Sequence, residues 1–217
     1  MRAIVVAGGD PDPSDASWLA DADLLVAADS GACWLDELGV TPDLLVGDLD
    51  SIGEPLLERL TAAGVPIERH APEKDESDAE LALTRAVASG AETIVILGAL
   101  SGERLDHELA NLLLLADPAW AGRDLRIVRG GTTVRALHGG ASLELQARPG
   151  DVVTLLPVSG DAQGVTTDGL RYPLADEELR FGRSRGLSNV VERAGASVWL
   201  ENGTLLVVET GQQGEGT

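Results

Sequence analysis

Four apolar runs in the first half of the chain each stop abruptly at glycine or aspartate: "AIVVAGG" from Ala3, "ADLLVAADSGA" from Ala22, "DLLVGDLDS" from Asp43 and "TIVILGAL" from Thr93. Separated by loops and helical patterns, they predict the strands of a parallel sheet in an α/β domain, because such a sheet needs a long crossover between neighbouring strands. One crossover helix is predicted from Ser77 to Ala88, where Ser77 caps and Glu80 reaches back in the "SDAE" pattern. A second is predicted from Leu105 to Ala116, and "LRIVRG" closes this half at residue 130.

Past Gly130 the texture changes. "TVRAL", "SLELQA", "DVVTLLPV", "GVTTDG", "ASVWLE" and "TLLVVE" are short β-rich runs with turn residues between them. The Asn202-Gly203 pair in "ENGT" is of the kind favoured in tight hairpins. No long helical pattern interrupts these runs, so residues 131–217 predict a small antiparallel sandwich or barrel-like domain. The tail "TGQQGEGT" is expected to fray.

Composition narrows the class of partner. A formal net charge of −20 repels nucleic acid and anionic membranes. No apolar run reaches the ~18 residues of a membrane span, and no leader pattern stands at Met1, so a cytoplasmic location is expected. Cys33, the sole cysteine, excludes an internal disulfide and a thiolate cluster. An anionic substrate would need a local cation or a bound metal. The chain carries fifteen arginines, one lysine (Lys74) and three asparagines (Asn111, Asn189 and Asn202), which directs attention to those rare positions.

In an open parallel sheet, ligands bind outside the carboxyl ends of the strands. Asp29 and the Asp48/Asp50 pair sit at such ends. If the segment stays extended, alternation points residues 48 and 50 the same way, and two oxygen ligands together suit a hard cation such as Mg²⁺. Aspartates are equally at home in turns. "PEKDESDAE" adds Asp75 and Asp78 at a helix entrance, where acids also complement the helix dipole. It embeds Lys74 among acids, a placement that suits a phosphate-directed point charge. In "GALSGERLDHELANLLLL", Arg104, His107 and Asn111 fall along one helical stripe, with Leu105, Leu109 and Leu112 elsewhere. Asp106 is placed to cap that helix. Taken together, four or five acids and two cations on three loop sets describe a metal–polyphosphate site.

"ADSGACWLDELGVTPDLLVGDLDS", "KDESDAELAL", "GALSGERLDHELANL" and "GLRYPLADEELRFGRSRGLSN" occur in this order, and the chain thereby resembles the thiamine pyrophosphokinase family from about residue 1 to 210. The resemblance implies a three-layer α/β domain (1–130) binding ATP and metal. It also implies a β-sandwich domain (131–217) contributing to thiamine binding and to a homodimer. The implied reaction moves the diphosphoryl group of ATP to the hydroxyl of thiamine and releases AMP, with Mg²⁺ required. Asp48, Asp50 and Asp78 match the metal-holding acids. Asp29, Asp75, Arg104 and Asp106 match positions shaping the nucleotide and thiamine pockets, while Ser188 and Asn189 match an element near thiamine. Departures are Ser30 and Cys33 where the family has glycine and asparagine, and Glu103 before Arg104. Trp199 is a candidate to stack on thiamine.

Three rival readings stand beside this one. They are a pyrophosphokinase for another heterocyclic alcohol such as a pterin, a Mg-dependent phosphohydrolase, and a non-catalytic nucleotide or thiamine sensor. The phosphohydrolase expects its D-x-D after the first strand, whereas here the pair follows the third.

Overall fold

The computed structural model describes residues 1–211. The chain divides into two compact units, residues 1–114 with 123–130 and residues 115–122 with 131–217.

The first unit has six strands: β1 (Arg2–Val6), β2 (Leu24–Ala28), β3 (Leu44–Gly47), β4 (Ile67–Arg69), β5 (Thr93–Leu97) and β6 (Asp124–Arg129). Its α-helices are α1 (Gly31–Glu37), α2 (Glu54–Ala62), α3 (Asp78–Ala88) and α4 (Leu105–Leu114). All five strand pairs are parallel, in the order β6-β5-β1-β2-β3-β4. The chain winds outward from β1 to β4 and then returns to β1's other side as β5. This reversal is a topological switch point, where the loops after β1 and β5 diverge and leave a crevice.

Alternation along the strands sends side chains to two faces, and both are covered. Ile4, Val6, Leu25, Ala27, Leu45, Val95 and Leu97 form one core with Ala32 and Leu35 of α1 and Leu56 and Leu60 of α2. Residues of the other parity, among them Val5, Val26, Val46 and Ile96, are equally buried. Against that face lies α3, which buries Ala79, Ala82, Leu83 and Ala86 and contacts β1, β2 and β3. This is the three-layer α/β arrangement. At the start of α3 the Ser77 side chain accepts from Glu80 N at 3.2 Å, so the capping residue is the expected one. Neither α1, α2 nor β4 was singled out by sequence pattern; α1 spans seven residues, too short to display a period. Gly31 opens it because a Cβ there would stand 2.1 Å from the carbonyl oxygen of Val6. Among the described residues no helix is long and apolar enough to cross a membrane.

Among its described residues the second unit has eight strands: β7 (Thr132–His138), β8 (Ala141–Glu144), β9 (Val152–Pro157), β10 (Ala162–Asp168), β11 (Glu177–Leu179), β12 (Asn189–Val190), β13 (Ser197–Leu200) and β14 (Thr204–Thr210). They pair antiparallel as β12-β9-β14-β7 and β11-β10-β13-β8. Leu137, Leu155, Val165, Val198, Leu200 and Leu205 are among the buried residues of one core drawn from both sheets, as in a β-sandwich. The Asn202-Gly203 pair does not close a hairpin. Strands β13 and β14 belong to different sheets, so "ENGT" carries the chain from one to the other. Reciprocal backbone bonds between Asn202 and Gln163 hold it, at 3.0 and 3.2 Å.

One polar pair interrupts the apolar interior of this unit. Arg135 on β7 and Glu209 on β14 are both buried and bonded to each other. The second oxygen of Glu209 accepts from Gln146 N and Ala147 N at 2.6 and 2.7 Å, and Arg135 donates to Glu144 O at 2.9 Å. Replacing Glu209 by Ala strands a buried guanidinium and two amide donors, so a loss of about 3–5 kcal/mol is expected. Urea denaturation followed by circular dichroism measures it. The double change Arg135→Met with Glu209→Leu should recover the part due to the stranded guanidinium and leave the part due to the two amides of Gln146 and Ala147.

Candidate active site

A cavity of about 720 Å³ opens beyond the carboxyl ends of β1, β2, β3 and β5, with Gly8, Asp29, Asp48 and Gly98 among its lining. Asp29 is the first residue after β2. Its N–H donates to Val46 O at 2.8 Å, which continues the ladder and seats the side chain beside the end of β3. Asp48 follows β3, and Asp78 is the first residue of α3. One carboxylate oxygen from each of Asp29, Asp48 and Asp78 lies within 4.8 Å of the other two. Gly47 makes room for this convergence, since a Cβ there would come within 3.1 Å of Asp29 Cβ and 3.2 Å of Asp78 Oδ1.

The expected alternation of Asp48 and Asp50 does not occur. Strand β3 ends at Gly47, and Leu49 takes a left-handed φ of 68°. The segment is therefore a turn in which Asp50 N donates to Asp48 Oδ1 at 3.1 Å. Asp50 lines the same cavity, but Ser51 Oγ donates to its Oδ1 at 2.9 Å and its carboxylate is not in the converging set. Asp29 completes that set. Leu35, Leu45 and the buried Leu49 share one core, so burying the leucine between the two acids drives the turn.

Lys74 reaches into the acids. Its Nζ is 2.9 Å from Asp78 Oδ1 and 3.7 Å from Asp48 Oδ2, with the side chain only 13% exposed. The acids respond to their surroundings in opposite directions. Burial pushes the Asp29 carboxyl up, with the charges of Asp78 and Asp48 adding to it, although bonds from Ser51 and Ser30 work the other way. The backbone bond from Asp50 pulls Asp48 down, helped by Lys74 against a burial penalty. Asp29 is 8% exposed and its Oδ1 has no hydrogen-bond partner. An orphaned, buried oxygen facing two other carboxylates is a position that a cation would satisfy.

On the opposite wall, Glu103, Arg104, His107 and Asn111 line the cavity. Arg104 is engaged by its own neighbour: Nε and Nη2 donate to the two oxygens of Asp106 at 2.9 and 2.5 Å, both side chains being exposed. That fork holds the Asp106 carboxyl at about 2. The backbone carbonyl of Arg104 also receives the first amides of α4, from His107 and Glu108. Asn111 Nδ2 donates to Ala99 O at 3.0 Å, tying α4 to the loop after β5. Asp75 and Asp106 are not among the lining residues, and neither are Ser188 and Asn189, which belong to the second unit. There Asn189 accepts from Tyr172 N and donates to Tyr172 O, at 3.0 and 2.8 Å, while Ser188 N donates to Thr154 Oγ1 at 3.0 Å. Gly8, Gly9 and Gly98 were not foreseen as lining. Their signal was present as glycine directly after two apolar runs.

Comparison with known proteins decides the family. A model described as thiamin pyrophosphokinase, catalytic domain, matches residues 16–128, and one described as thiamin pyrophosphokinase, vitamin B1 binding domain, matches residues 142–205. The chain belongs to the thiamin pyrophosphokinase family. The thiamine pyrophosphokinase of Bacillus subtilis is 26% identical over 213 residues, spanning 97% of this chain and 99% of that protein. Its crystal structure superposes with a TM-score of 0.86, covering 98% of this chain and 100% of that one. The thiamin pyrophosphokinase of Geobacillus thermodenitrificans, 28% identical, gives 0.83 with 99% of each chain covered.

Asp29 carries a prediction for this thiamin pyrophosphokinase family member. Its folded-state carboxyl holds a proton to higher pH than in the unfolded chain. The stability it contributes is complete below the ordinary aspartate range and is lost as pH rises through the raised value. Asp29→Asn removes this loss. The metal-free variant should melt higher than wild type at pH 7, at about 2–4 °C for each kcal/mol recovered. Calorimetry between pH 4 and 8 should show the gap widening with pH, while any rise in melting temperature on adding Mg²⁺ disappears.

Proposed function

We propose that this chain transfers the diphosphoryl group of ATP to the hydroxyl of thiamine, giving thiamine diphosphate and AMP, with Mg²⁺ held at the Asp29–Asp48–Asp78 cluster and Asp50 beside it. The observation that carries the metal assignment is the convergence of three carboxylates, two of which, Asp29 and Asp78, have a buried oxygen without a hydrogen-bond partner, that of Asp78 facing the Lys74 ammonium. The donor set fits: it is all hard oxygen, as Mg²⁺ requires, and the converging groups include no thiolate or imidazole. When bound, the ion would add positive charge against the phosphate chain to that of Arg104 and Lys74, in a protein of net charge −20.

Transfer at phosphorus asks the protein chiefly for positioning and charge neutralisation. Gly8 and Gly98 let the backbone come close to a phosphate chain lying across the switch point. Arg104 and Lys74 offer cationic donors, and His107 and Asn111 border the same space. Asp106 holds the Arg104 guanidinium in a fixed orientation until a phosphate competes for it. Asp75 stays in the proposal as an acid beside Lys74 that shapes the entrance. Thiamine is a cation, which suits an acid-rich site. In the second unit Ser188, Asn189 and Trp199 are the residues proposed to meet it. Trp199 is 44% exposed on β13 between Ser142 and Thr166, so a ring face is open to stacking.

A homodimer is part of the same proposal. Leu105, Leu109 and Leu113, spaced four apart on α4, are 67%, 52% and 55% exposed, an apolar stripe that a second subunit would cover. The location proposed is cytoplasmic.

Incubation with ATP, Mg²⁺ and thiamine tests the reaction. Thiamine diphosphate and AMP should form in equal amounts, read by chromatography. ADP or inorganic phosphate as the sole nucleotide-derived product would falsify it. Arg104→Ala should slow turnover about 10²-fold or more, the scale seen when one donor to developing charge is removed.

A further inference from the structure

Lys74 is the one lysine among fifteen arginines, and it occupies the place where a cation is needed. We infer that Lys74 is an internal counter-cation, whose ammonium neutralises the acid cluster of the metal-free protein and withdraws when a divalent ion binds, becoming free to meet a phosphate. The inference rests on the proposed metal assignment and adds an exchange between two cations at one set of oxygens.

Three observations carry it. First, the ammonium lies 2.9 and 3.7 Å from oxygens of Asp78 and Asp48, two of the three converging acids, with its side chain 13% exposed. A divalent ion among these carboxylates would stand within a few ångströms of it, where like charges repel strongly in a partly desolvated setting. Secondly, the ammonium leaves the set incomplete, since Asp29 Oδ1 is buried without a hydrogen-bond partner. A point charge with three donors covers two acids, whereas an ion taking six oxygens can engage all three. Thirdly, the residue type suits release. Arg104, by contrast, meets Asp106 through a two-pronged fork of its planar guanidinium. An ammonium on a flexible four-carbon stem makes no such fork and can swing away without reorganising its backbone. In the metal-free protein the acids favour the charged ammonium. Burial acts to lower its pKa, but the bond to Asp78 and the charges of Asp78 and Asp48 outweigh that and raise it.

The exchange makes Lys74 a positioning residue. In the empty protein it keeps mutually repelling carboxylates together, and with the ion in place it brings a positive charge to the polyphosphate side of the cavity. Metal binding and phosphate capture are then coupled through one side chain.

Because there is no other lysine, the first measurement needs no mutation. The full-length protein labelled with ¹³C-lysine gives a single Hε–Cε correlation. Magnesium is added without nucleotide, and calorimetry follows its binding in parallel. In step with bound Mg²⁺, the signal should move from a pinned to a mobile lysine position, and acylation of Lys74, read by mass spectrometry, should quicken severalfold. Binding of Mg²⁺ with an unmoved signal and unchanged acylation overturns the exchange while leaving the metal assignment intact. Failure of Mg²⁺ to bind at all sinks the metal assignment itself. Lys74→Met should bind Mg²⁺ more tightly in the absence of nucleotide, by about tenfold for one removed competing charge. Weaker binding would show that the lysine assists the ion, contrary to the exchange.

Discussion

Three carboxylates meeting at the edge of a parallel sheet repel one another, and the first unit is organised around keeping them there. Each acid comes from a different segment: the end of β2, the turn after β3 and the first turn of α3. The ladder bond from Asp29 N to Val46 O and the absence of a side chain at Gly47 force the three backbones close. Neutralisation then falls to Lys74. The buried strands and the covering helices supply the stability that the site consumes. Such local strain survives only in a scaffold rigid enough to over-determine it. Left-handed, non-glycine backbone at Asp29, Leu49 and Ser101, after β2, β3 and β5, marks the same edge.

Much of this was legible because a parallel strand leaves a bold trace. The apolar runs end where the ligand cavity begins, so locating the strands located the loops that matter. What could not be read was local geometry. Asp48 and Asp50 look like an alternating pair, and only the demand of Leu49 for the core, with its left-handed backbone, reveals a turn. The place of Asp29 among the converging oxygens depended on the pairing of β2 with β3, a long-range fact that no spacing records. The second unit shows the same limit. Its strands were visible as runs, but Asn202-Gly203 carries a hairpin signature while joining two sheets, because the Gln163 backbone captures it.

Charge distribution connects fold to chemistry. An acid-rich chain needs cations at a phosphate site, and this one keeps two of them paired within the chain, Arg104 with the exposed Asp106 and Lys74 with the half-buried acid cluster. Both pairs spare the metal-free protein from exposing unbalanced charge. They differ in geometry, a two-pronged guanidinium fork against a single-point ammonium contact.

The buried fork of Glu209 settles which rung of β14 faces which rung of its neighbours. Strand β14 reads Leu205-Leu206-Val207-Val208, apolar on both sides, so a slip by one residue would cost it little hydrophobic burial. Only one alignment offers its carboxylate the guanidinium of Arg135 and the amides of Gln146 and Ala147 together. A slip by one residue would turn Glu209 to the other face and leave Arg135 buried without its acid. A single acid near the end of an otherwise ambiguous strand thus acts as the key that lets just one pairing close.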